Sequence, residues 1–267
     1  MALSFHVRHE VTSDRCFEVL NALNSNLNYE GVIQSSRQLG RLNQLQLTVG
    51  KQVTPLGQCI ITICRMKNNV WGDLLHFLHY TLWSELAPDE NGFSWTYRAF
   101  VNYLWQMRQI DLNDDFWTPV VSTVSGQIES NQVFRDRIAA HTKEGTISLS
   151  KKSLAGINNW LEALIPPVIE NNTFFRRSFC PPELTLLATG WVAQMTGGEL
   201  GIDFLITPPR REAICQLCLL EPNSLDNVLD WMLPTYPDII QPGTSAGVYG
   251  RYLRFLRWPE VTDLVKN

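Results

Sequence analysis

The residues best able to do chemistry are the Asp73-x-x-His76-x-x-His79 series, the Cys215-x-x-Cys218 pair and the Asp111, Asp114 and Asp115 group. Steps of three keep Asp73, His76 and His79 on one side of a helix, a ligand set to which Glu85 or Asp89 would have to add a further donor. Their neighbours Leu74, Leu75, Phe77 and Leu78 favour packing over metal binding. Cys215 and Cys218 lack the second pair of a zinc ribbon, and Ile214, Leu217, Leu219 and Leu220 place them in a buried helix. The three aspartates are of the type that holds magnesium in a nuclease, but they stand where a loop enters a helix, a position suited to capping and solvated charge. Ser178, Cys180 and His141 carry no local nucleophile signature. No cofactor is implied, and binding chemistry is favoured over catalysis.

Binding chemistry requires an exposed polar surface. Gln34, Ser35, Ser36, Arg37 and Gln38, with Arg41 just beyond, are of the types that a helix offers to base edges: Arg bonds guanine and Gln bonds adenine, each in two places. Lys51 stands at a glycine turn suited to touching a phosphate backbone. In the C-terminal RYLRFLR segment, Arg251, Arg254 and Arg257 alternate with Tyr249, Tyr252 and Phe255, a mixture suited to phosphate and base stacking. On one strand Arg251 and Arg257 share a face and Arg254 takes the other. Such a strand is equally a charged, solvated edge. Arg210-Arg211 in a first helical turn opposes the helix dipole and calls for an anion nearby; Arg176-Arg177 adds a weaker hint of the same kind.

The elements that must position these groups can be read from periodicity and turn chemistry. Ser13 caps a helix carrying Cys16, Phe17, Val19, Leu20 and Leu23, which ends over Asn24–Asn28. A second helix is expected over Glu30–Gly40, with Val32, Ile33 and Leu39 inward and Gln34, Ser35, Arg37 and Gln38 outward. Leu45, Leu47 and Val49 alternate as a strand does, Gly50-Lys51 turns the chain, and Thr54-Pro55 starts a helix bearing Leu56, Ile60, Ile63 and Cys64. The Val53–Gly57 stretch, VTPLG, resembles the end of many bacterial winged-helix domains, over about 50 residues of this chain. That resemblance implies a helix-turn-helix with a β wing, a fold that contacts either DNA or protein.

Between Val70 and Leu164 the chain reads as helix. Trp71, Leu74, Leu75 and Leu78 form one stripe, and Ser94 caps another carrying Tyr97, Phe100, Val101, Leu104 and Trp105. Further helices are expected over 118–128, 131–140 and 150–164, and Asn171–Phe179 is expected to be a linker. Beyond it, helices carry Leu184 to Met195, Ile214 to Cys218 and Leu225 to Met232. Strands over Asp238–Ile240 and Val248–Leu256 then close a second winged-helix-like unit. The expected fold class is mainly α in three parts: a winged-helix-like unit at 1–68, a helical domain and linker at 69–180, and a helical domain ending in a hairpin at 181–267.

Composition limits the function classes. At 267 residues, 45% hydrophobic and 18% charged, the chain can bury a substantial core. Its net charge of −4 argues against unselective coating of nucleic acid, yet residues 1–68 carry +3 and residues 131–180 carry +3. The first fifteen residues lack a signal-peptide core and no run approaches the ~18 apolar residues of a membrane span. A cytoplasmic protein with reduced thiols and no membrane contact is expected. The reading is a non-enzymatic DNA-binding or adaptor subunit of a prokaryotic complex, in transcription control, a mobile element or phage defence, with protein partners or copies of itself. The alternatives are a protein scaffold that touches no nucleic acid, and a metal-dependent nuclease.

Overall fold

In the computed structural model, helix α1 (Ser13–Asn24) begins one residue after Thr12, so Ser13 lies inside the helix instead of capping it. Its hydroxyl is buried without a hydrogen-bond partner among the described residues. The structure describes residues 5–67, 70–84, 91–132, 134–135, 149–243 and 250–265. Helix α2 (Ser35–Gln44) starts five residues later than expected and runs through Gly40. Leu42 and Leu45 are its apolar anchors, and both are fully buried. They put Gln38 and Arg41, one turn earlier, on the same inward face, because positions three and four apart share a side of a helix. Ile33, expected inward, is exposed.

Strands β1 (Thr48–Val49) and β2 (Gln52–Val53) form an antiparallel hairpin in which Gly50 takes a positive φ of 59°. Helix α3 (Pro55–Met66) begins as the sequence predicts. Thr54 Oγ1 accepts from the Gly57 amide at 3.1 Å and donates to the Gln46 carbonyl at 2.7 Å. A Cβ at Gly57 would stand 2.3 Å from the Leu47 carbonyl oxygen, so only glycine lets α3 lie this close to the hairpin. The threonine, proline and glycine of VTPLG thus each have a mechanical reason.

Helices α4 (Trp71–Thr81) and α5 (Gly92–Met107) pack together in the centre and bury every apolar position expected of them. Ser94 is not a cap; it lies in the first turn of α5 and its hydroxyl accepts from the Trp83 amide at 2.9 Å. Helix α6 (Asp114–Ser130) starts on Asn113, whose side chain accepts from the Phe116 amide. The helix expected over 131–140 falls mostly outside the described residues. The one expected over 150–164 is broken into α7 (Lys151–Leu154), a 3₁₀ turn and α8 (Asn158–Leu161).

The segment expected to be a linker is structured. Strand β3 (Gln109–Asp111) pairs antiparallel with β5 (Thr173–Phe175), which also pairs with β4 (Ile169–Glu170). Arg177 follows directly and is buried, its NH2 donating to Asp73 Oδ1 at 2.8 Å and its Nε to the Cys218 carbonyl at 2.9 Å. The Ile165 amide donates to the other oxygen of Asp73. A buried guanidinium–carboxylate pair of this kind ties three distant parts of the chain to one point.

The C-terminal part runs α9 (Pro182–Met195), β6 (Asp203–Leu205), α10 (Pro208–Cys218), α11 (Leu225–Thr235), β7 (Ile240–Pro242) and β8 (Tyr252–Phe255). The sheet order is β6-β8-β7, all antiparallel. The sequence reading missed β6 and placed the two later strands within a few residues. Apolar core residues run from Phe5 to Leu264 in one contiguous cluster. Contacts cross both expected boundaries: Trp71 Nε1 donates to the Ser13 carbonyl at 3.1 Å, and Lys67 meets Glu183 at 2.7 Å. The described part is mainly helical with small antiparallel sheets. None of its helices is long and apolar enough to cross a membrane.

Candidate nucleic-acid interface

The amino-terminal end of α2 is the most open polar surface among the expected contacts. Gln34 is exposed in a left-handed conformation at φ 57°, and Ser35 and Arg37 are half-buried behind it. Arg37 donates to Glu10 Oε1 at 2.5 Å and keeps 38% of its side chain exposed. Lys51 is exposed at the hairpin turn, its ammonium 5.6 Å from the centre of the Tyr29 ring. Asn43 near the end of α2 donates to the Gly50 carbonyl at 3.2 Å, which fixes the hairpin against the helix. Arg37 and Asn43 are six residues apart, or roughly 9 Å along the axis. Arg37 and Lys51 therefore stand near opposite ends of one helix-and-hairpin unit.

Two expected contacts are not at the surface. Gln38 is fully buried: its Nε2 donates to the Glu10 carbonyl at 2.9 Å, while its Oε1 accepts from the Thr12 amide and the Cys16 thiol. It holds α1, α2 and the N-terminal segment together, and no donor or acceptor remains for a base. Arg41 is 4% exposed, with its guanidinium 4.0 Å above the Phe93 ring. Its Nε and NH1 have no hydrogen-bond partner among the described residues. Burial lowers its pKa to about 10, so the group remains charged at neutral pH. Stacking on an aromatic face is favourable, but it does not replace missing hydrogen bonds.

The C-terminal arginines are largely occupied within the protein. Arg210 donates to the Leu205 carbonyl and to both oxygens of Thr196, and stacks on Phe204. Arg211 forks onto both carboxylate oxygens of Asp226 at 3.0 Å. The anion that its place in a first turn calls for is thus internal. Arg251 meets Asp230 at 2.6 Å and the Asp226 carbonyl at 3.0 Å. Arg254 pairs with Asp203 at 2.8 Å, and Arg257 pairs with Asp263. Arg211, Arg251, Arg254 and Arg257 would each have to exchange a protein carboxylate for a phosphate in order to bind nucleic acid. Tyr249 lies outside the described residues.

The residues with catalytic types are likewise held by protein. His76 Nε2 lies 2.6 Å from the Leu217 carbonyl and Nδ1 lies 2.8 Å from the Tyr97 hydroxyl. A carbonyl only accepts, so Nε2 carries the hydrogen and Tyr97 donates to Nδ1. Burial lowers the His76 pKa to about 3. His79 donates from Nδ1 to the Leu75 carbonyl, its Nε2 has no partner among the described residues, and burial takes its pKa well below the ordinary value. With Asp73 on Arg177, these three groups do not converge on a common point. No metal-holding group of His, Cys, Asp and Glu occurs among the described residues; Glu85, Asp89 and His141 lie outside them. Asp111 accepts from Thr173, and Asp114 meets Lys151 at 2.6 Å. Cys215 and Cys218 are buried free thiols.

Sequence reasoning missed one feature beside α2. A cavity of about 260 Å³ opens between this helix and the N-terminal segment, lined by His6, Arg8, Arg37, Gly40, Arg41 and Gln44. Arg37, Gly40, Arg41 and Gln44 recur at steps of three and four, so a helical register continued past Gly40 would have exposed this stripe. No protein-family model, curated protein or solved structure matches the chain.

Proposed function

We propose that the protein is a non-enzymatic DNA-binding or adaptor subunit of a prokaryotic complex, with its N-terminal unit facing the nucleic acid. The observation that carries this reading is the pairing of an exposed, polar α2 end with a cation-tipped hairpin fixed to the same helix. Gln34, Ser35 and Arg37 supply base and phosphate contacts, and Lys51 supplies a backbone contact. Gln38 and Arg41 act from inside, as supports of α2.

The C-terminal unit suits protein contact better. Its order of helix, strand, two helices and hairpin, with the first strand on the last, supports a winged-helix reading. In that fold the third helix would face the groove, and here α11 turns Asn227, Asp230 and Trp231 to solvent, with Asp226 half-exposed beside them. Asp226 and Asp230 are matched by Arg211 and Arg251, which leaves this face without excess positive charge to draw phosphate, whereas Trp231, 69% exposed, is of the type that anchors protein interfaces. The scaffold alternative rests on this same face.

Titration of duplex DNA at two salt concentrations tests the reading. Wild type is expected to bind with salt-dependent affinity, and Arg37→Ala/Lys51→Ala to bind more weakly with a salt slope smaller by about 2. Arg254→Ala is expected to bind as wild type does. Absence of wild-type binding, or an unchanged slope in the double variant, would overturn DNA contact and leave the scaffold.

A further inference from the structure

The cavity beside α2 is unusual in its charge. The described residues lining it include three arginines and a histidine, and no Asp or Glu. Arg37 is neutralised by Glu10 at the rim. Arg8 is exposed and has no ion-pair or hydrogen-bond partner among the described residues; Arg41 is buried with two nitrogen atoms unpartnered. Among the described residues two positive charges are therefore left without counter-charge, one of them shielded from water and fixed on Phe93. A buried, unpaired guanidinium is costly, and folding retains one only where something offsets it.

Space is available for that offset. Gly40 lies in the wall between Arg37 and Arg41, and a Cβ there would meet nothing within 4 Å. Its missing side chain leaves the mouth open. A cavity of about 260 Å³ compares with the ~30 Å³ share of one water, so it holds a tetrahedral oxyanion with room for what the anion is attached to. Guanidinium forks match phosphate oxygens in geometry, and two uncompensated cations match two negative charges. A phosphate monoester carries about two charges above its second pKa near 6, whereas a backbone diester carries one.

We propose that this cavity is a binding site for a terminal phosphoryl group, gripped by Arg41 from within and Arg8 from the rim, with Gly40 providing the entrance. The group belongs either to the phosphorylated end of a nucleic-acid strand or to a free small phosphate monoester. The site does not depend on duplex binding by α2 and the hairpin.

Calorimetric titration of the full chain with inorganic phosphate at pH 8, against chloride of equal ionic strength, tests it. Wild type is expected to show saturable, one-site binding. Arg8→Ala and Arg41→Met should each weaken it about tenfold or more. Gly40→Leu, which alters no charge and favours helix, should abolish it. Arg8 and Gly40 are exposed, so their variants keep the test valid even if Arg41→Met misfolds. A second arm compares a short oligodeoxynucleotide bearing a 5′-phosphate with its 5′-hydroxyl form. Preference for the phosphorylated strand, lost on adding phosphate and in Gly40→Leu, supports the site and assigns it to strand ends. Phosphate binding without that preference supports it and assigns it to a small molecule. No phosphate-specific binding by wild type, or undiminished binding in both Arg8→Ala and Gly40→Leu, overturns the proposal. Duplex affinity sensitive only to Arg37 and Lys51 would leave the N-terminal DNA reading standing in that event.

Discussion

Lowering the pH from 7 to 5 should expose the cost of burying two neutral histidines. His76 and His79 are fully buried on α4, with pKa values taken to about 3 and well below the ordinary value by burial. In the unfolded chain each titrates near the ordinary 6.5. Below that value the unfolded state binds protons that the folded state refuses, so stability falls as pH falls, over a window from about 6.5 down to about 3 for His76. One pH unit corresponds to about 1.4 kcal/mol, so at pH 5 His76 has cost roughly 2 kcal/mol, and His79 adds a cost of the same sign. Asp73 works in the opposite sense, because burial raises its carboxyl and the folded state takes up that proton first. A variant comparison removes its contribution. His79→Phe suits the site, since the ring lies among Phe93, Tyr97 and Trp160 at 4.3 to 5.9 Å and its Nε2 has no partner among the described residues. Urea unfolding of wild type and His79→Phe at both pH values should show the variant gaining stability relative to wild type on acidification. A relative change below about 0.5 kcal/mol would refute the assignment of His79 as a buried neutral group.

Three further outcomes follow from the packing. Arg177→Met strands the Asp73 carboxylate and should cost about 3–5 kcal/mol by denaturant titration, while adding Asp73→Leu should recover part of the loss; simple addition of the two costs would contradict a direct pair. Gly57→Ala sets a Cβ 2.3 Å from backbone oxygen and should destabilise by about 1–3 kcal/mol; an unchanged urea midpoint would mean that α3 and the hairpin separate freely. Thr54→Ala should cost about 1 kcal/mol and Thr54→Ser much less, because only the hydroxyl caps α3; equal losses would assign the effect to the methyl group.

The legible parts of this chain are those governed by neighbours in sequence. The stripes of α4 and α5 follow from helical spacing, the start of α3 from Thr54-Pro55, and the hairpin's turn from Gly50-Lys51. The strand read from Leu45, Leu47 and Val49, by contrast, shrinks to Thr48–Val49, with Leu45 ending α2 and Val49 exposed. The legible part of the site is likewise local: Gln34 and Lys51 are exposed as expected, one at a helix start and the other at a turn. Missed features involve partners far away. Strands β3 and β5 are three residues each and pair Gln109 with Phe175, so neither carries enough alternation to announce itself. The segment around Arg176-Arg177 reads as a linker until Asp73, 104 residues from Arg177, is brought against it.

Polarity misled at α2 for a related reason. A glutamine and an arginine on a helix are outward by default, and Gly40 reads as a stop, so the inward stripe through Gln38, Arg41 and Leu45 is visible only once α1 and Phe93 pack against it. The sequence by itself determined where α3, α4 and α5 form and which apolar residues α4 and α5 bury, because those choices follow from backbone propensity and period. The tertiary structure alone decided which charges are free to act. It tied Arg211, Arg251, Arg254 and Arg257 to carboxylates and left Arg8 and Arg41 without one among the described residues. Charge pairing depends on distance in space, and a linear chain does not record that distance.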